Sequence, residues 1–303
     1  MANLTEIKDW QRRIRSEEKP VTRRYRIEDL ASLAVPEQPA LSSDGSRILY
    51  VLRTVDAGAD KYLRAIWTVG TRDGAPRQLT RGTADSSPVW SPDGQSVAFL
   101  RAQDGPAQLW LLPAGGGEPE QLTHLPLGAG TPLWSPDGSR IAFAAPVDLA
   151  APAPDGDQDQ EDAAARQKRA GAPIVVDRLD YQADGAGLLR KARKHLHVLD
   201  LDTRRCRQLT DGDWHASDPA WSPDGTRLAF GAAMADDADL VMRAPAYLLD
   251  VTDTWSAPRE VALGDGVVGA VDWTADGSAL LIAGTTDGPL GHTRLLRVPL
   301  DGG

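Results

Sequence analysis

The chain has 303 residues, 41% of them hydrophobic, and a formal net charge of −10. That length and apolar content support a real core in one large or two ordinary domains, and the acidic balance excludes the basic face a nucleic-acid partner needs. A single cysteine, Cys206, rules out an internal disulfide and fits a reducing, cytoplasmic setting.

Residues Met1 to Pro20 lack the apolar core of a signal peptide, and no run of eighteen apolar residues occurs anywhere, so neither a leader nor a membrane partner is expected. Asn3-Leu4-Thr5-Glu6 has the form of a capping box, and Leu4, Ile7, Trp10 and Ile14 follow at helical spacing. A second short helix is expected over Ile27 to Leu33. Residues 1–35 therefore read as an N-terminal helical arm, and residues 36–303 as a different kind of structure.

That structure is organised by Trp90-Ser91-Pro92-Asp93-Gly94, which returns at Trp134 to Gly138 and Trp221 to Gly225. Weaker copies stand at Leu41 to Gly45 and Trp273 to Gly277. Proline presets φ, aspartate bonds its own backbone, and glycine takes the left-handed exit, so the motif is a tight turn. After each Asp-Gly two large apolar residues alternate, as in Val97/Phe99 and Ile141/Phe143, which is the pattern of a half-buried strand. The repeat glycines are 49, 44, 87 and 52 residues apart, and Gln-Leu-Thr closes the unit at 78–80, 121–123 and 208–210. One unit parses whole: Pro88 to Trp90, Ser96 to Arg101, Gln108 to Pro113 and Pro119 to Thr123 are four strands joined by turns. Four short antiparallel strands every forty-odd residues define an all-β fold, a β-propeller of about five blades with an incomplete ring. The tryptophans at 90, 134, 221 and 273 are expected to pack between blades.

The interval of 87 residues holds Ala150 to Ala172, rich in Ala, Asp, Gln and Pro, which reads as a mobile insertion within one blade rather than as a hidden blade. Asp155, Asp157 and Asp159 imitate a calcium loop, but Gln160 stands where glycine is needed and Arg166 where glutamate is needed.

The search for chemistry returns no catalytic, cofactor-binding or metal-binding residue. Gly-x-Ser-x-Gly, His-Glu-x-x-His and phosphate loops are absent. His195 and His197 share one strand face, but no third ligand is evident and Arg193 and Lys194 disfavour a cation, so they are expected to be partly exposed strand residues. Arg190, Lys191, Arg193 and Lys194 read as a solvated basic turn, Asp93, Asp137 and Asp224 as turn formers. Arg205 and Arg207 would lower the thiol pKa of Cys206, yet on a repeat strand it reads as a bystander.

The Trp-Ser-Pro-Asp-Gly units resemble the propeller repeats of Tol-type periplasmic proteins and of the prolyl oligopeptidase family of serine peptidases. Ile27-Glu28-Asp29-Leu30, Asp60-Lys61-Tyr62 through Ile66-Trp67, and Val176-Asp177-Arg178-Leu179-x-Tyr181-x-x-Asp184-Gly185-x-Gly187 with His195-Leu196-x-Val198-x-Asp200 are similar to the acylaminoacyl-peptidase-like branch. The resemblance covers residues 26–303 and implies a propeller that lies over an α/β-hydrolase domain and admits only peptides. This chain stops at Asp301-Gly302-Gly303, inside the blade opened by Trp273, so no triad residue carries over. The expectation is a substrate-gating propeller without its catalytic domain, inactive alone and prone to self-association through an exposed blade edge. The alternative is a stand-alone Tol-type propeller acting as an interaction scaffold.

Overall fold

The computed structural model describes residues 24–300 apart from 25, 73, 150–170, 172, 174, 175, 177, 180, 184–186, 189, 190, 253–255 and 262. Blade 1 is built from β1 (Val35–Leu41), β2 (Arg47–Asp56), β3 (Lys61–Gly70) and β4 (Arg77–Gln78), hydrogen-bonded in that order. Blade 2 follows with β5 (Asp85–Trp90), β6 (Ser96–Arg101), β7 (Gln108–Pro113) and β8 (Glu120–Gln121). Blade 3 uses β9 (Leu133–Trp134) and β10 (Arg140–Asp148), then a small hairpin of β11 (Gln182–Ala183) and β12 (Gly187–Leu188), before β13 (Ala192–Asp200) and β14 (Cys206–Gln208) complete it. Blade 4 comprises β15 (Ala220–Trp221), β16 (Arg227–Gly231), β17 (Ala246–Asp250) and β18 (Arg259–Val261). Blade 5 has three described strands, β19 (Val268–Trp273), β20 (Ala279–Gly284) and β21 (Arg294–Pro299). All pairings within the blades are antiparallel. β10 pairs directly with β13 across the long interval, so the interval lies between the second and third strands of blade 3, and its described residues add only the small hairpin.

Each blade opens on the same turn, and the turn is chemically closed. In blade 4 the Ser222 hydroxyl donates to Asp224 (2.6 Å) and accepts from the Arg227 amide (2.9 Å), while Asp224 also accepts from the Thr226 amide (3.0 Å). Gly225 sits at φ +69°, where a side chain would strain the backbone. Serine and aspartate are therefore there to satisfy backbone groups, which fixes the hairpin register.

Packing follows from the alternation along the second strand. Val97 and Phe99 share a buried cluster with Leu49, Val51 and Ile66 of blade 1, whereas Ala98 and Leu100 face Ile141 and Phe143 of blade 3. Ala142 and Ala144 receive Leu228 and Phe230 of blade 4, and Ala229 lies in the cluster of Leu280 and Ile282 of blade 5. Each joint inserts a large face into the smaller face of the preceding blade. The tryptophans latch these joints: Trp90, Trp134, Trp221 and Trp273 donate Nε1–H to the carbonyls of Ala40, Val89, Leu133 and Ala220 in the blade before. An indole serves here because it fills volume and still satisfies its polar atom.

The expected helix around Leu4 to Ile14 and the segment 150–170 lie outside the described residues. The second expected helix is a short 3-10 helix, Ile27–Ser32, held by the Arg26 amide donating to Asp29 (2.8 Å).

Candidate functional site

The topology gives every blade two unlike ends. One end gathers the Ser-Pro-Asp-Gly turns, which stack on one another: Arg47 donates to the Gly94 carbonyl (3.3 Å) and Arg140 to that of Gly225 (2.8 Å). The opposite end gathers the connections between second and third strands, at 57–60, 102–107, 232–245 and 285–293 with the described residues between Asp148 and Ala192, and these differ in every blade. A uniform end reads as scaffold, and a variable end as the place where function is carried.

Exposed apolar side chains collect at the variable end. Tyr62 stands at the start of β3 beside the blade 1 loop, Leu179, Tyr181 and Leu188 belong to the blade 3 insertion, and Leu290 to the blade 5 loop. Leu240, Val241 and Met242 form a run in the blade 4 loop, with Leu240 69% and Met242 66% exposed. The two largest loops touch, since the Leu179 amide donates to Asp239 (2.9 Å). Exposed apolar side chains gathered at one end are a feature of interaction surfaces.

Arginine–carboxylate pairs brace the same end in four blades. Glu37 holds both Arg53 (3.1 Å) and Arg64 (3.0 Å), and the Arg53 guanidinium lies over the Tyr62 ring at 4.7 Å. Asp85 is fully buried and takes Arg101 through two bonds, 2.7 and 3.0 Å. Arg193 pairs with Asp213 (2.6 Å), and Arg243 with Glu260. Of these, the Asp85–Arg101 pair is buried and bidentate and fixes geometry rather than adding much net stability, while the others are partly exposed.

The histidines are not partly exposed, as the sequence suggested, but buried: His195 is 0% and His197 5% exposed. His195 lies between the Thr210 hydroxyl (3.2 Å) and the Gly212 carbonyl (3.0 Å). In blade 2 the same two places are bridged by Gln108, which bonds the Thr123 hydroxyl and the Leu125 carbonyl, each at 2.8 Å. His195 is thus the repeat's polar peg in imidazole form. Thr210 and His195 resemble a nucleophile and base, but both are sealed from solvent and the Thr210 hydroxyl already accepts from the Leu196 amide (2.9 Å). His197 stacks on Phe143 with ring centroids 5.5 Å apart, and burial pulls its pKa down to about 4. Both imidazoles are buried and already hydrogen-bonded within the fold, and no cluster of three ligating groups occurs among the described residues.

Arg193 also departs from the solvated turn expected of it. It is 4% exposed, because β13 starts at Ala192 and carries it into the blade. Cys206 is exposed as a residue, yet the protein around its sulfur pushes the thiol up to about 11, so the flanking arginines do not activate it. Asp93, Asp137 and Asp224 are turn residues, each bound by the serine two places before it. The three aspartates 155, 157 and 159 lie outside the described residues. Among those described, no helix is long and apolar enough to cross a membrane.

No family model matches the chain. A Bacillus subtilis protein described as the uncharacterized peptidase YuxL is 30% identical over 224 residues, covering 73% of this chain and 33% of that protein. The chain is a β-propeller similar in sequence to a curated peptidase. The Pyrococcus horikoshii acylaminoacyl peptidase superposes with a TM-score of 0.67 at 16% identity, over 90% of this chain and 39% of that one. A TolB structure from Agrobacterium tumefaciens gives a TM-score of 0.57 at 17% identity, over 89% and 79% respectively. At such identities the structures share the propeller fold. This propeller spans about a third of the length of the curated peptidase it matches.

Proposed function

We propose that this propeller is the substrate-restricting part of a serine peptidase that acts on peptides, with its loop end turned toward the α/β-hydrolase part. The 30% identity to a curated peptidase over 224 residues carries this reading. The exposed Leu179, Leu240 and Met242 on the loop end support it, because an apolar surface braced by fixed ion pairs suits a standing domain contact. Catalysis would then belong to the remaining length represented in the relatives. We propose a cytoplasmic setting, with which a single cysteine is compatible.

The nucleotide sequence adjoining this reading frame tests the proposal. A Gly-x-Ser-x-Gly motif followed by aspartate and histidine in an α/β-hydrolase pattern is expected; adjoining sequence coding for unrelated proteins on both sides contradicts it. A stand-alone scaffold is the second reading, favoured by the 79% of the TolB chain that this propeller covers.

A further inference from the structure

We propose that His195 works as an acid-released latch, which when neutral pins the connection from β14 to β15 across the loop end of blade 3 and when protonated lets it open. Residues 211–217 of that connection are tied to the start of β13 at four points. The Gly212 carbonyl meets His195 Nε2 (3.0 Å), and Asp213 takes Arg193 (2.6 Å). The Lys194 amide donates to His215 Nδ1 (3.2 Å), and the Lys194 carbonyl accepts from the Ala216 amide (2.8 Å). Trp214 stands edge-on to His195, ring centroids 5.1 Å apart, and stacks on Phe230 of blade 4 at 6.1 Å. Gly212 has φ +116°, and a Cβ there would strike the Trp214 indole. The connection is therefore packed over the imidazole as well as bonded to it.

The partners of the ring fix its protonation. A carbonyl only accepts, so Nε2 carries the hydrogen toward Gly212 and Nδ1 is left bare to accept the Thr210 hydroxyl (3.2 Å). A second proton would set a donor against that hydroxyl, whose own hydrogen would lose its acceptor, and would place a charge on a side chain 0% exposed. Lifting the connection admits water and removes both penalties. Burial holds His195 below its ordinary 6.5 and Arg193 acts in the same sense, against the Gly212 carbonyl and Asp211. Asp213 and His215 on the connection and Lys194 and His197 on β13 are the other titratable neighbours, while β10 offers only Ala145 opposite the ring. His215 acts in the same direction, since its Nδ1 must stay bare to take the Lys194 amide. The closed form is thus fully favoured above pH 6.5 and loses ground as pH falls through the lowered value. Blade 2 shows that the repeat does not require an imidazole here, because Gln108 bridges Thr123 and the Leu125 carbonyl with an amide that does not titrate. The inference concerns this chain alone and does not rest on the peptidase reading.

Hydrogen exchange read by mass spectrometry tests it, with protection factors that divide out the direct effect of pH on exchange. Between pH 7.5 and pH 5 the protection of residues 211–217 should fall about threefold or more. Residues 124–130, the matching connection of blade 2, should keep theirs. A smaller fall in 211–217 overturns the proposal, and so does an equal fall in both segments, which would be general loosening. His195→Gln installs the blade 2 amide and should remove the greater part of the fall; if half or more of it survives, His195 is not the latch. Should that variant melt early at pH 7.5, a measurement on the unaltered chain decides. Exchange of the imidazole C2 hydrogen titrates His195 individually, and its midpoint should match that of the opening of 211–217. Midpoints more than about one pH unit apart overturn the proposal.

Discussion

Ser222 shows how much one short side chain settles. Its hydroxyl, itself fully buried, closes two bonds in the turn, so Ser222→Ala leaves the Arg227 amide without its side-chain acceptor and removes one of three donors to Asp224. A loss of about 1–3 kcal/mol is expected by urea unfolding. Trp221→Phe keeps an aromatic ring but loses the bond to the Leu133 carbonyl and part of the buried indole volume, and should cost about 1–3 kcal/mol; Trp221→Ala, which opens a larger cavity, about 3–5 kcal/mol. Titration gives a second signature. His197 has its pKa lowered from 6.5 to about 4, so the unfolded chain takes up its proton first as pH falls. Stability should therefore be full above pH 6.5 and decline toward pH 4, a loss on the order of 3 kcal/mol. His197→Phe should flatten that interval. Asp137, Asp224 and Asp276, bound by Ser135, Ser222 and Thr274, are held at about 2 against an ordinary 3.8. Their contribution is present above pH 4 and is lost between pH 4 and 2, a separate step in the same unfolding series.

At the scale of elements, the strands and turns were legible in the sequence because both signals are local. The parsed blade at Pro88 to Thr123 agrees with β5 to β8, and the Gln-Leu-Thr marker proves to close a blade: Thr80, Thr123 and Thr210 accept the amides of Ile66, Leu109 and Leu196. The burial of His195 and Arg193 was not legible. Their partners Gly212, Thr210 and Asp213 come from the next connection, so nothing in the local pattern of β13 reports them. The loop end was hidden for the same reason, since Leu179 and Asp239, sixty residues apart, meet only after the blades stack. Leu240, Val241 and Met242 gave the one available hint, an apolar run between two strands where polar turn residues are usual. Met242→Asp should leave the melting temperature of this chain unchanged, because the side chain is largely exposed. In a polypeptide that also carries the hydrolase part it should weaken the contact between the two, read as earlier and separated unfolding transitions in calorimetry.

Over the whole molecule, five sheets with one interblade rule make a rigid wall whose two ends differ in purpose. The turn end repeats because each turn must support the next, while the loop end varies because only the outline of the fold constrains it. The described residues bring together no accessible nucleophile and base, so the isolated chain should leave acyl-amino-acid and dipeptidyl chromogenic substrates uncleaved. Turnover lost on treatment with a serine-directed covalent inhibitor would contradict that expectation. The central claim is that this wall restricts what reaches a peptidase site, and the most direct measurement compares a short chromogenic peptide with a long unfolded protein as competing substrates. The enzyme assayed is the polypeptide carrying both propeller and hydrolase parts, beside a variant in which Leu179 and Met242 are replaced by aspartate to loosen the loop end. The account predicts that the intact enzyme cleaves the peptide and spares the long chain, and that the variant cleaves both. Equal selectivity in the two enzymes would contradict it.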